Sequence, residues 1–293
     1  MRVRPDTLTG EAQNFSQSGF YVLRNQLSAS ELLSLRQLVD EYVGGIDPAH
    51  RARYQHHGSM LALDYTDARL QQLISKPGLH GALGRMGLRD ARWLSGYAIS
   101  KPPGSPRLWW HQDWFAWDDP LTLRELPVQF SVMIYLDNTA EGNGALRVIP
   151  GSHREPHPLH GLLPDAHGDE IESLPDGHPA YADWPEEELV AVDAGDLVIC
   201  DIRLLHATHS NRSHRDRHCI TLWFIPEYAA LPERMKSYYA QHPCQPSPQA
   251  RRQLPPQFTG VLPEYQWDGG GAEVMYRRQP SIPMLTRLAA GAD

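Results

Sequence analysis

From Trp93 onward the chain is cut into short apolar stretches separated by glycine and proline, and the longest of them alternates strictly. In "PVQFSVMIYLDN" the residues Val128, Phe130, Val132, Ile134 and Leu136 share one parity, while Gln129, Ser131, Met133 and Tyr135 share the other. A period of two belongs to a strand, whose successive side chains leave on opposite faces, and not to a helix. "RWLSGYAISKPPG", "ALRVIPGSH", "ELVAVDAGDLVICD" and "CITLWFIPEY" read the same way, each bounded by turn residues. Many short strands with turns between them predict a sandwich or jelly roll.

Upstream the period changes. Phe20 to Leu23 is a short strand; Ser28 with Glu31 then forms a capping box, and Leu32, Leu35, Leu38, Val39 and Tyr42 recur at helical spacing. Helices before strands predict an α+β chain with N-terminal helices packed on the sheet. With no internal repeat and no second apolar centre, residues 1–293 are expected to form a single domain. The acidic, aperiodic segment 164–188 is expected to be an insertion loop or a lid, and 228–293 an irregular C-terminal wrap.

The formal net charge of -8, from 27 Lys and Arg against 35 Asp and Glu, argues against a nucleic-acid partner, which needs clustered cations. No run of about 18 apolar residues predicts a membrane span, and no apolar stretch follows the basic start, so a cytoplasmic protein is expected. Three scattered cysteines, Cys200, Cys219 and Cys244, suit a reducing compartment.

The chemistry concentrates in "WWHQDWFAW", residues 109 to 117. His111 and Asp113 are two apart, so on a strand they point to one side, about 6.6 Å apart along it. One further histidine would complete the two-histidine, one-carboxylate facial triad of non-haem iron(II) sites. Residues 194–224 offer four: His206, His209, His214 and His218. Arg217 in the same segment would present a planar fork suited to a carboxylate.

Four blocks occur in an order that resembles the phytanoyl-CoA dioxygenase family of iron(II)- and 2-oxoglutarate-dependent oxygenases: "SGFYVLRNQLSASEL", "KPPGSPRLWWHQDW", "EGNGALRVIPGSHR" and "LLHATHSNRSHRDRH". The resemblance implies a double-stranded β-helix (jelly roll), with Fe(II), 2-oxoglutarate and O2 as cofactor and cosubstrates. It implies His111, Asp113 and His206 as metal ligands and Arg217 on the far carboxylate of 2-oxoglutarate, since His206, Asn211, Ser213 and Arg217 fall at the family's spacing. His209 would leave an extended strand on the opposite face, so His206 is preferred. His209, His214 and His218 are then turn residues. Gln129 and Ser213 are expected at the cosubstrate, Asn211 bracing the turn before Arg217, and His153 beside the site without being a ligand.

Tyr97, Lys101, Trp109, Trp114, Phe115 and Trp117 are candidate substrate-pocket residues, whereas Trp110 and Gln112 should point away from the metal by parity. The resemblance further implies oxidation, most simply hydroxylation, of a small organic substrate with release of succinate and CO2; Asp113 fills the carboxylate position that related halogenases leave open. The aromatics favour an apolar or cyclic substrate such as a biosynthetic intermediate. "QARRQ" and "YRRQ" are the only basic candidates for a CoA phosphate. A metal-binding sensor without turnover and a zinc or manganese hydrolase are the rival readings. Nothing in the pattern separates core from subunit interface, which leaves the oligomeric state open.

Overall fold

The computed structural model describes residues 10–166, 168–264 and 279–290. The opening segment carries α1 (Gly10–Ser18), β1 (Phe20–Leu23), α2 (Ala29–Gly44), α3 (Pro48–Arg53), β2 (Ser59–Ala62), α4 (Ala68–Ile74) and α5 (Pro77–Arg85). The strand-rich part follows: β3 (Arg92–Lys101), β4 (Leu108–His111), β5 (Phe130–Tyr135), β6 (Leu146–Val148), then α6 (Asp169–Glu172), β7 (Glu188–Val190), β8 (Leu197–Asp201), β9 (His206–Thr208) and β10 (Arg217–Ile225). The tail, expected to be irregular, instead carries α7 (Glu233–Ala240), α8 (Pro248–Arg251), α9 (Pro256–Thr259) and α10 (Ile282–Ala289). These helices run four to eight residues, mostly too short for a periodic pattern to show. "YRRQ" lies largely outside the described residues.

The strands form two antiparallel sheets, ordered β1-β8-β5-β10-β3-β2 and β4-β9-β6-β7. The alternation of β5 explains how they are layered. Phe130, Val132 and Ile134 pack outward with Leu35, Leu38 and Val39 of α2 and with Leu70, Ile74, Leu79 and Leu83 of α4 and α5. Met133 and Tyr135 turn inward and meet Leu146, Val148 and Val190 of the smaller sheet. The result is a jelly roll backed by helices, as the sequence predicts. The capping box at Ser28 and Glu31 is formed. "ELVAVDAGDLVICD" is two strands, β7 and β8, split at Gly195, whose φ of 95° permits the reversal.

Two buried polar features hold the site's supports. At the junction of α1 and β1, Gly19 has φ 82°, and a Cβ there would lie 2.6 Å from His153 Nδ1. His153, 1% exposed, donates through Nε2 to Ser16 O at 3.1 Å. Beside it, Ser152 Oγ accepts from Leu205 N at 2.9 Å, which braces the residue before His206. After β8, Arg203 pairs with Asp201 at 2.6 Å, each 2% exposed, and donates through Nη1 to Thr122 O and Arg124 O at 2.7 and 2.9 Å. That pair ties the loop after Asp113 to the chain leading into β9.

Two predictions follow from these groups. Burial holds His153 down to about 4 and His160 to about 3. In the unfolded chain both take up protons below the ordinary histidine value of 6.5, and in the fold they do not. Stability therefore falls as the pH drops from 6.5 toward 4, by up to about 1.4 kcal/mol per pH unit for each group. Urea midpoints measured across this window should decline, and His153→Gln should flatten the slope. Arg203→Met should strand the Asp201 carboxylate and cost about 3–5 kcal/mol in the same assay, where a loss under 1 kcal/mol would refute the anchoring role.

Candidate metal and cosubstrate site

The pairing of β4 with β9 sets His111 directly opposite His206. Their rings stand 4.1 Å apart between centroids. Each is aimed in the same way: His111 Nδ1 donates to Trp109 O at 3.0 Å, and His206 Nδ1 donates to Leu204 O at 3.0 Å. A carbonyl only accepts, so both Nδ1 atoms carry the proton and both Nε2 atoms present lone pairs. The chain turns after His111 because Asp113 N and Trp114 N both donate to Ile202 O at 2.9 Å. Asp113 then lies with Oδ1 3.8 Å from His111 Nε2 and Oδ2 3.8 Å from His206 Nε2. The ligand atoms of these three residues fall within 4.8 Å of one another. Two imidazole nitrogens and a carboxylate, with orientation fixed by backbone acceptors behind the rings, fit a divalent first-row metal such as Fe(II).

Two neighbouring chambers share His57, Met60, Asp113 and Trp223 as walls. The inner one is bounded by His111, His206, Thr208, Met133, Tyr135 and Arg217. Arg217 is 3% exposed, its guanidinium lies 5.8 Å over the Tyr135 ring, and its Nε has no hydrogen-bond partner among the described residues. A buried guanidinium with an unmet donor suits a carboxylate. Thr208, which sequence reasoning missed, lines the same chamber. Its hydroxyl accepts from Lys101 Nζ at 2.9 Å, leaving its own proton to donate.

The outer chamber, about 360 Å³, is lined by Tyr54, Tyr97, Phe115, Gln129, Trp223 and Tyr238, with Arg53 and Glu172 also on its wall. Phe115 stacks on Tyr238 at 5.1 Å, and Tyr97 meets Trp223 edge-on at 5.6 Å. His242 also faces it. Burial lowers its pKa, and its Nδ1 accepts from Cys244 N at 3.2 Å, so the neutral ring carries its proton on Nε2. Arg53, Tyr54, His57, Tyr238 and His242 carried no motif that would have singled them out.

Several expected pocket residues lie elsewhere. Trp109 lines neither chamber and packs against His57, edge-on at 4.9 Å, and against Tyr181. The cause is a bulge: Leu108 pairs with Thr208 and His111 with His206, so that two residues, Trp109 and Trp110, are set against one, Ala207. An extra residue inverts parity, so Leu108 faces the metal ligands in place of Trp109. Trp114 and Trp117 are buried in a core with Tyr228, Met235 and Tyr239, and Trp114 Nε1 donates to Thr122 Oγ1. Lys101 is fully buried, with Nζ donating to His56 O and Thr208 Oγ1; burial holds it well below the usual lysine range. Ser213 is spent on the turn: it donates to Asn211 Oδ1 at 2.7 Å, while Asn211 Nδ2 donates to Lys101 O and Arg215 O. Gln129 faces the outer chamber and not the inner one. His153 lies at the α1–β1 junction. Trp110 and Gln112 point away from the site, Trp110 Nε1 to Ala182 O and the Gln112 amide to Arg203 O.

The insertion reaches the site. Ile171 of α6 is buried with Leu108, Trp109 and Tyr181, and the neighbouring Glu172 lines the outer chamber. The far end of the insertion is fastened by Arg147, fully buried, which pairs with Asp183 at 2.8 Å and with Glu187.

Comparison with known proteins agrees with this architecture. A probable alpha-ketoglutarate-dependent hypophosphite dioxygenase of Stutzerimonas stutzeri is 32% identical over 117 residues, 39% of this chain and 37% of that protein's length. Among solved structures, HygX from Streptomyces hygroscopicus with nickel and 2-oxoglutarate bound is 20% identical with a TM-score of 0.56, covering 75% of this chain and 88% of its own. The non-haem alpha-ketoglutarate-dependent epimerase SnoN from nogalamycin biosynthesis is 16% identical with a TM-score of 0.54, covering 73% and 81%. At these identities the structures share the fold. No described helix is long and apolar enough to cross a membrane. Residues 15–219, well over half of the chain, match the family model described as phytanoyl-CoA dioxygenase, and the chain belongs to that family.

Proposed function

We propose that the protein is an Fe(II)- and 2-oxoglutarate-dependent oxygenase that hydroxylates a small cyclic organic molecule. The observation that carries this reading is the meeting, in one inner chamber, of the His111, Asp113 and His206 ligand set with a buried Arg217 whose Nε lacks a partner among the described residues. Iron(II) bound there would supply the oxidation of substrate by dioxygen, coupled to decarboxylation of 2-oxoglutarate to succinate and CO2. The remaining work falls to the chain. Arg217 and the Thr208 hydroxyl would hold the far carboxylate, which orients the cosubstrate toward the metal ligands. Ile99, Leu108, Met133 and Leu146 keep the inner chamber apolar, which excludes water and strengthens that ion pair. Asp113 occupies the carboxylate position and so favours oxygen transfer over halogenation.

The outer chamber supports the substrate class. A volume of about 360 Å³ walled by five aromatic rings suits a molecule of drug-like size and is far larger than a small inorganic anion needs. The similarity of fold to SnoN, an enzyme of nogalamycin biosynthesis, is in keeping with a biosynthetic intermediate as substrate. Glu172 places the insertion at the outer chamber, where it would cover a bound substrate.

Anaerobic addition of Fe(II) and 2-oxoglutarate should generate a weak visible charge-transfer band, and Asp113→Ala should abolish it. Arg217→Met should weaken 2-oxoglutarate binding by about 10- to 100-fold, the worth of a hydrogen-bonded charge at a buried site. With air admitted and a substrate library supplied, succinate should form only in the presence of oxygen. A sensor would bind both ligands and form none, and a hydrolase would turn over without oxygen.

A further inference from the structure

Gln129 stands immediately before β5, on the same parity as Ser131, Met133 and Tyr135. It is 7% exposed, and its Oε1 has no hydrogen-bond partner among the described residues. Buried amide oxygens are nearly always satisfied, and leaving one unmet destabilises the fold. Gln129 lines the outer chamber with Asp113, Ser95, Tyr97, Phe115 and Trp223. Arg217, in contrast, belongs to β10 and lies against the far end of β5, over Tyr135. Six residue steps run from Gln129 to Tyr135, about 20 Å at the usual rise. Met133, between them, lines the inner chamber with the metal ligands. Gln129 and Arg217 thus lie toward opposite ends of β5 and line different chambers.

We propose that Gln129 reads the substrate and not the cosubstrate. Its amide accepts a hydrogen bond from a hydroxyl or amino group on a ring held among Tyr97, Phe115 and Trp223, and so fixes which carbon of that ring faces Asp113 and the two histidines. The substrate class is a cyclic alcohol or amine, oxidised near its polar group. This deepens the oxygenase reading and rests on it. A site built around a buried hydrogen-bonding group rejects analogues lacking the matching donor far more strongly than an apolar wall rejects a change in shape.

The test uses the Fe(II)-loaded protein under anaerobic conditions and the charge-transfer band as readout, so that no turnover is needed. 2-Oxoglutarate is titrated into the wild type, Gln129→Leu and Arg217→Met; cyclohexanol, cyclohexylamine and the donor-free isostere methylcyclohexane are then added as probes. Gln129→Leu should bind 2-oxoglutarate within about twofold of wild type, while Arg217→Met loses about tenfold or more. Cyclohexanol or cyclohexylamine should shift the wild-type band, methylcyclohexane should not, and Gln129→Leu should lose the distinction. Gln129→Glu, which keeps the acceptor, should retain the response to cyclohexylamine and so separates lost recognition from lost folding. Loss of 2-oxoglutarate affinity in Gln129→Leu comparable to that in Arg217→Met would overturn the proposal. So would identical behaviour of wild type and Gln129→Leu toward all three probes, silence included. A wild type that gives no band at all would instead count against the oxygenase reading itself.

Discussion

The register of β4 against β9 is the constraint on which the candidate site depends. A shift of one residue would send the whole side-chain set of one strand to the other face. In the observed register His111 lies opposite His206, and the backbone acceptors Trp109 O and Leu204 O turn both Nε2 atoms toward Asp113. Much of the surrounding structure serves to hold that register. Ser152 supports Leu205, the Asp201–Arg203 pair fixes the chain just upstream, and Ile202 O accepts two amides to bend Asp113 back over the histidines.

The electrostatics of the inner chamber are deliberately lopsided. Two buried cations, Lys101 and Arg217, lie on paired strands, yet they differ in how they are satisfied. Lys101 is engaged by His56 O and Thr208 Oγ1, and burial disfavours its charge. Arg217 keeps an Nε donor with no partner among the described residues. Lys101 is thereby engaged in structure and in orienting a hydroxyl, while Arg217 retains a donor that, on the proposed reading, would meet an anionic ligand.

How much of this was legible in the chain depends on whether local spacing or tertiary packing decided the outcome. Parity gave a sandwich or jelly roll, since Phe130, Val132 and Ile134 against Met133 and Tyr135 already separate the helix-facing from the inward side, and the resemblance chose the jelly roll. His111 and Asp113 were only a weak pair by parity and became legible through the family spacing of His206, Asn211, Ser213 and Arg217; the strand ends at His111, and a turn brings Asp113 to the histidines. Trp109 was misplaced because a bulge carries no sequence mark and inverts parity where it falls. Trp114 and Trp117 looked like pocket walls only because the tail helices that bury them were not visible as a pattern. Gln129 was expected at the cosubstrate because parity tells which face a residue takes and says nothing about its distance along the strand. Arg53, Tyr54, Tyr238 and His242 come from segments with no motif, brought to the chamber by long-range contacts that no local reading contains.

The outer chamber was described above as a cavity with aromatic walls, but the origin of those walls has its own consequence. Arg53 and Tyr54 come from α3 and the residue after it, Glu172 from α6 in the insertion, and Tyr238 and His242 from α7 and the residues beyond it. None of these belongs to either sheet. The walls of the outer chamber thus combine these peripheral residues with Met60, Ser95, Tyr97 and Trp223 of the larger sheet, while the candidate ligand histidines stand on the smaller one. On the proposed reading, exchange of the peripheral helices and loops would reshape one side of the outer chamber and leave the β4–β9 pairing of the candidate metal ligands as it stands.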